Sequence, residues 1–174
     1  MANPLNATIL ARLPALGVDQ SFLVAGCLFQ AIWNGIGGQA PDWGVRDYDV
    51  FYFDDSDLSW EAEDQVIRRA ATLFADLGVT VEVRNQARVH LWYPGHFGET
   101  YPKLVSAKDG IDRYLIACTC VGIGAGDGAL YAPDGLEDLW AGRLRMNPRH
   151  VQPRLFRAKA ESYRARWPWL TIVD

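Results

Sequence analysis

Positive charge is in short supply in this 174-residue chain. Lys and Arg total 17 against 21 Asp and Glu, a formal net charge of −4 at pH 7. Proteins held to nucleic acid by phosphate contacts usually carry a basic surplus, so the bulk charge gives no strong nucleic-acid signature, although a local basic groove stays open. Long hydrophobic runs are missing too: none approaches the roughly 20 apolar residues that cross a bilayer. The opening segment MANPLNATILARLPALG has neither a basic start nor a long apolar stretch, so no signal peptide or membrane anchor is expected, and the expected location is cytoplasmic. Cysteine is scarce. Cys27, Cys118 and Cys120 are odd in number and apolar in context, which favours reduced core residues over a disulfide framework. The Cys118-x-Cys120 pair has no His or further Cys nearby to complete a zinc site.

What remains is an ordinary globular composition, 49% apolar and 22% charged. Without repeats, low-complexity stretches or linkers, one domain over residues 1–174 is expected. Leu5, Ile9, Leu10 and Leu13 predict a first short helix, and SFLVAG a buried strand ending at Gly26. CLFQAIWNGIGG predicts a helix stopped by glycines. Residues 61–77 give the clearest helix, with Val66, Ile67, Ala70, Leu73 and Phe74 on one stripe and acids in the first turn. VTVEV alternates Val79, Val81 and Val83 inward against Thr80, Glu82 and Arg84 outward. RVHLWY repeats that alternation, so a hairpin is expected through Asn85–Ala87, setting Arg84 opposite Arg88 and Glu82 opposite His90. A helix after Ser106 running into an apolar strand, a short helix in GLEDLWAGRL and a final basic helix before WPWL complete the reading. GIGAGDG reads as a flexible turn, because it opens no helix as a dinucleotide fingerprint must. The fold class expected is α/β (α+β), a mixed sheet flanked by helices.

The stretch VRDYDVFYFDD concentrates the chemistry. Asp47 and Asp49 stand two apart at the mouth of an apolar strand, so they share a face about 7 Å apart. Like charges that close oppose each other's ionisation unless something positive lies between them. Divalent cations with oxygen ligands, Mg²⁺ above all, suit that need. Asp54, Asp55 and Asp57 follow in a Ser-containing loop and read as turn-forming or helix-flanking residues. Glu82 is a third acid on a later strand, either a further ligand or one half of an ion pair with Arg84, Arg88 or His90. Arg84 and Arg88 suit phosphate through their forked donors, or equally a structural balance of the acids.

The order of these parts resembles the nucleotidyltransferase superfamily that includes DNA polymerase beta: strand, glycine turn, helix, Asp-x-Asp strand, then a strand with a third acid. A closer resemblance is to a bacterial nucleotidyltransferase-like family of unassigned substrate. It is carried by AGCLFQAIWNGI, RDYDVFYFDDSDLSWEAED, VEVRNQARVHLWYPGHFG, GIDRYLIACTCVGI, APDGLEDLWAGRLRMNP and YRARWPWL, nearly the whole chain. The resemblance implies Asp47, Asp49 and Glu82 as catalytic metal ligands for two Mg²⁺ ions, with Mn²⁺ as a substitute. It also implies Val24-Ala25-Gly26-Cys27 as the phosphate-binding turn, with Gly26 and Cys27 meeting the nucleotide beside Arg84 and Arg88. Two features depart from the pattern: Cys27 stands where Gly or Ser is usual, and the segment from Gly26 to Asp47 is long.

The function expected is therefore Mg²⁺-dependent transfer of a nucleoside monophosphate from an NTP to an acceptor (protein, RNA or small molecule), releasing pyrophosphate. The alternative is a nucleotide-binding module on the same fold that has lost the chemistry. A third reading, an interaction domain, draws on the Trp-rich segments. The C-terminal arginines with Trp167 and Trp169 read as a solvated helix anchored by buried rings, with a nucleic-acid contact as the sharper option.

Overall fold

The computed structural model describes residues 3–173. Asn3 caps the first helix, α1 (Pro4–Arg12), by accepting from the Leu5 N–H, and a 3₁₀ turn follows over Leu13–Leu16. The chain then enters β1 (Phe22–Val24), turns at Ala25 into α2 (Gly26–Ile36), and loops back to β2 (Asp47–Tyr52). Ser59 caps α3 (Trp60–Leu73) with Glu61 and Glu63 in its first turn, where the helix dipole favours acids. Next come β3 (Thr80–Asn85), α4 (Val89–Phe97) and α5 (Ala107–Ile111). The remainder is β4 (Gly122–Gly124), β5 (Leu130–Tyr131), α6 (Glu137–Ala141), β6 (Arg143–Arg145), α7 (Pro153–Arg166) and β7 (Thr171–Val173).

Five strands form one sheet in the order β3-β2-β1-β4-β5, and β6 and β7 form a small parallel pair. The main sheet is mixed, as expected, for a different reason than expected. Its parallel pair is β2 with β3, while β1 runs antiparallel to both β2 and β4. Beneath the sheet, Leu23, Tyr48, Val50, Tyr52 and Val83 pack on Ile9 of α1, on Leu13 of the 3₁₀ turn, and on Val66, Ala70 and Phe74. A second core joins Phe29 and Trp33 of α2 to Leu139, Leu144, Phe156, Tyr163 and Trp167. Helix α2 thus lies between two cores, and its long exit loop is fixed from within. Buried Asn34 donates to the Pro41 and Trp43 carbonyls and accepts from the Trp167 indole.

The expected hairpin does not form. β3 ends at Asn85, whose side chain accepts from the Ala87 N–H and turns the chain through a 3₁₀ segment (Gln86–Arg88) directly into α4. The Arg84–Arg88 and Glu82–His90 pairings therefore do not exist. The alternation in RVHLWY misled because six residues fit either period, and Leu91 and Trp92 stay exposed on the helix. A smaller correction concerns GIGAGDG: the apolar strand expected to end at Ile123 runs on to Gly124 as β4, so the turn begins later. A Cβ at Gly122 would meet Ile111 Cδ1 at 2.7 Å and Val24 Cγ1 at 3.3 Å, so the packing above this strand excludes larger residues. The short strands β6 and β7 lie in segments that the sequence pattern left as helix end and tail.

Candidate active site

Strand register assembles the acids. Asp49 sits opposite Glu82 on β3 and opposite Val24 on β1, and paired residues of adjacent strands share a face. Asp47, two residues earlier, shares it too, while Tyr48, Val50 and Tyr52 fill the core face. Because β1 runs against β2, the end of β1 meets the start of β2. The Ala25–Gly26 turn and the three acids therefore occupy one end of the sheet.

The electrostatics there are strained. Asp49 is pushed up from the ordinary carboxylate range to about 7, first by burial and then by the charges of Asp47 and Glu82. Arg84 and Lys159 pull the other way without cancelling this. Glu82 pairs with Arg84 at 3.4 Å, both side chains being partly exposed. Among the described residues no three His, Cys, Asp or Glu side chains are already drawn into a metal cluster. The donor set still fits a hard divalent cation: oxygen ligands only, on one face, with a buried carboxylate whose charge is uncompensated.

At the turn, Ala25 adopts φ 62° and ψ −139°, a region that glycine enters freely and alanine does not. Gly26 opens α2, and the first N–H groups of a helix have no acceptor within it. A methyl at Gly26 would collide with the Gln30 side-chain amide. Cys27 is a reduced core residue, as its apolar context predicts. Its thiol is fully buried, donates to the Val24 carbonyl at 3.3 Å, and packs in the core beneath the sheet. Burial drives that thiol far above its usual range, so it is inert there, and its backbone N–H alone lies at the turn. The departure from the glycine pattern that strains the backbone is therefore Ala25.

Arg88 is not brought to this face. Its guanidinium is committed to the Leu58 carbonyl and to an ion pair with Glu63, both side chains being about nine-tenths buried. Glu63 in turn accepts from the Asn85 N–H. Arg84 and Arg88 do line one cavity of about 440 Å³ with Trp60, Trp92, His96 and Phe97, at the β3 edge. Asp54 and Asp57 are turn residues as expected, accepting from the Ser56 and Ser59 N–H groups.

A nucleotidyltransferase family model matches residues 11–172. The chain belongs to that family. Nucleotidyl transfer from an NTP is accordingly its class of activity. An NMR structure described as revealing a CCA-adding enzyme head domain superposes with a TM-score of 0.74 at 24% identity, covering 97% of this chain and 88% of that one. A CCA-adding enzyme in complex with ATP superposes at a TM-score of 0.61 and 14% identity, covering 99% of this chain and 40% of that one. Likeness at such identities speaks for the fold. No curated protein matches significantly.

Three residues of this nucleotidyltransferase that surround the acids escaped the sequence pattern. Lys159 of α7 is close enough to act on Asp47 and Asp49. Tyr163, one helical turn on, feels Asp49 as well. The Tyr114 hydroxyl is buried without a hydrogen-bond partner among the described residues and feels Asp49 more than any other charge. A hint existed for α7 alone: Lys159, Tyr163 and Arg166 recur at the i, i+4, i+7 spacing of one helix face.

Proposed function

We propose that the chain transfers a nucleoside monophosphate from an NTP to an acceptor, with Asp47, Asp49 and Glu82 holding Mg²⁺. The observation that carries this reading is the register that sets Asp49 beside Glu82, with Asp47 on the same face and the Gly26 turn at the same end of the sheet. The free N–H groups at the start of α2 would receive phosphate oxygens, because a helix N-terminus favours anions. Divalent ions bound by the three acids would lower the pKa of an attacking oxygen and stabilise the departing pyrophosphate. Asp49, raised to about 7 by burial and by its acidic neighbours, would be held fully ionised by a cation set against it, and Glu82, released from Arg84, would complete the ligand set. Arg84 then faces solvent beside the acids, where its fork suits a phosphate oxygen. Mn²⁺ would substitute, since it accepts the same oxygen donors.

Pyrophosphate release, followed with Mg²⁺, each NTP in turn and a cell-extract acceptor fraction, tests the reading. Release by the wild type is expected to fall below detection in Asp47→Asn and in Asp49→Asn, with both variants retaining a cooperative thermal transition. Turnover persisting in either variant contradicts it. The strained Ala25 and the inward-facing Cys27 favour one alternative, a nucleotide-binding module without turnover. Metal-dependent NTP binding by calorimetry with no pyrophosphate released in any acceptor fraction would select that alternative.

A further inference from the structure

Large apolar rings face solvent at one edge of the main sheet. Trp60, at the start of α3, is 62% exposed, and Phe97 and Trp92 of α4 are 55% and 39% exposed. Together with His96 they line the cavity of about 440 Å³ at the β3 edge, whose remaining lining is Glu63, Arg84 and Arg88. The wall on α4 consists of rings in contact: the Phe97 centroid lies 4.8 Å from that of His96 and 6.5 Å from that of Trp92. Tyr93 braces it, 4.6 Å from Phe97 and 4.5 Å from Tyr101. The buried Glu63–Arg88 pair satisfies itself and leaves its part of the lining neutral. Arg84 is different. It lines the cavity and also reaches Glu82 at 3.4 Å, so one side chain joins the cavity to the acids. Exposed rings around a cavity with a charged group at one end suit a ligand better than they suit the fold.

Sheet order indicates what enters there. β1, which leads into the Gly26 turn, lies on one side of β2, and β3 lies on the other as the edge strand. In an in-line displacement the attacking and leaving oxygens stand on opposite sides of the phosphorus. Pyrophosphate leaving on the β1 side puts the acceptor on the β3 side, where the cavity opens. We propose that this cavity holds the acceptor, and that the acceptor is a small planar aromatic molecule bearing a hydroxyl or carboxylate oxygen. This inference rests on the nucleotidyl-transfer reading above and names the acceptor class within it. The ring stacks on Trp92 and Trp60, and Arg84 donates to the oxygen at the end nearer Glu82. In the transfer step that oxygen bonds to the α-phosphorus while the α–β bridging bond breaks. Pyrophosphate takes the electron pair, and a hydroxyl proton passes to water. A polynucleotide fits less well, because following its backbone takes a row of cations. Of the basic side chains in the lining, Arg88 is committed to Glu63, which leaves Arg84 and His96. The volume is that of a small-ligand pocket.

Calorimetric titration of wild type, Trp92→Ala and Trp92→Phe tests the assignment. The probes are para-hydroxybenzoate, hydroxynaphthoate and hydroxyindole carboxylate, with saturated para-hydroxycyclohexane carboxylate as the non-planar counterpart. The Mg²⁺ complexes of the four NTPs are titrated separately. At least one planar probe is expected to bind wild type about tenfold or more tightly than the saturated one. Trp92→Ala is expected to weaken that probe about tenfold, since a stacking surface is lost, and Trp92→Phe to restore most of it. NTP affinity is expected to stay within about twofold in both variants. No binding by any planar probe, equal binding of the saturated one, or indifference to Trp92→Ala overturns the proposal while the parent reading stands. An equal loss of NTP affinity in Trp92→Ala gives the cavity to the nucleotide and overturns the acceptor role. A single-stranded oligoadenylate that binds through Trp92 more tightly than every planar probe overturns the small-molecule class. Wild type that binds a planar probe but none of the four NTPs overturns the parent reading, and the acceptor role with it.

Discussion

The two faces of strand β2 carry opposite chemistry on a single run of six residues. Tyr48, Val50 and Tyr52 point down into the core and are almost wholly excluded from solvent. Asp47 and Asp49 point to the other face, where burial and then the charges of Asp47 and Glu82 push Asp49 up to about 7. The lower face has its requirements met within the fold, by packing, by the Asn3 amide donating to the Tyr48 hydroxyl and by the Arg88–Glu63 pair. The upper face is electrostatically incomplete, and every neighbour that answers it is basic: Arg84 at one side and Lys159 on the helix opposite. A region whose charges balance only when a ligand is present is built for that ligand rather than for stability.

Arg88 belongs with the lower face, and removing it gives the largest expected effect on the fold. Arg88→Met leaves Glu63 as a buried carboxylate without its partner, at an expected cost of about 3–5 kcal/mol in denaturant unfolding. If Arg88 instead served the upper face, the variant would unfold like wild type and lose NTP affinity. Ala25→Gly sits where the two faces meet and has the smaller effect. Releasing the positive φ is expected to stabilise the chain by about 1 kcal/mol, the unfolded-state entropy of glycine offsetting part of the relieved strain. A destabilised Ala25→Gly in the same measurement would mean that the alanine methyl, not the backbone geometry, matters at the turn.

The contrast between faces was legible in the sequence because strand alternation is strictly periodic: Asp47 and Asp49 had to share a side, and Val81 and Val83 had to turn Glu82 the opposite way from themselves. The stripe of α3 was equally plain, and the family resemblance, carried by nearly the whole chain, agrees with the family match over residues 11–172. The error at Asn85–Tyr93 has a local cause. Asn85 is a helix-capping residue type, but six alternating residues outweighed that signal, and the pull of Glu63 on Arg88 is a contact 25 residues away that no window contains. The burial of Cys27 was legible from its apolar neighbours, whereas the positive φ of Ala25 leaves no mark in a turn motif. Lys159 and Arg166 were legible only as sharing one helix face, not as neighbours of the acids. Their helix is bound to the cleft through Asn34, Gln30 and Gly44, contacts 122 to 136 residues apart in the chain.

The account stands or falls on whether Asp47, Asp49 and Glu82 jointly hold a cation, and thermal unfolding against pH with and without MgCl₂ addresses that directly. Asp49 has a folded value of about 7, above the roughly 3.9 of an unfolded chain, so its contribution to stability is fully present below about pH 4 and is lost as pH rises through 7. Mg²⁺ binds the ionised folded site, so its stabilising effect must grow over the same interval. The account predicts a Mg²⁺-dependent rise in Tm at pH 8 that vanishes near pH 5 and is absent from Asp49→Asn at either pH. A Tm indifferent to Mg²⁺ at pH 8, or raised equally in Asp49→Asn, would contradict it.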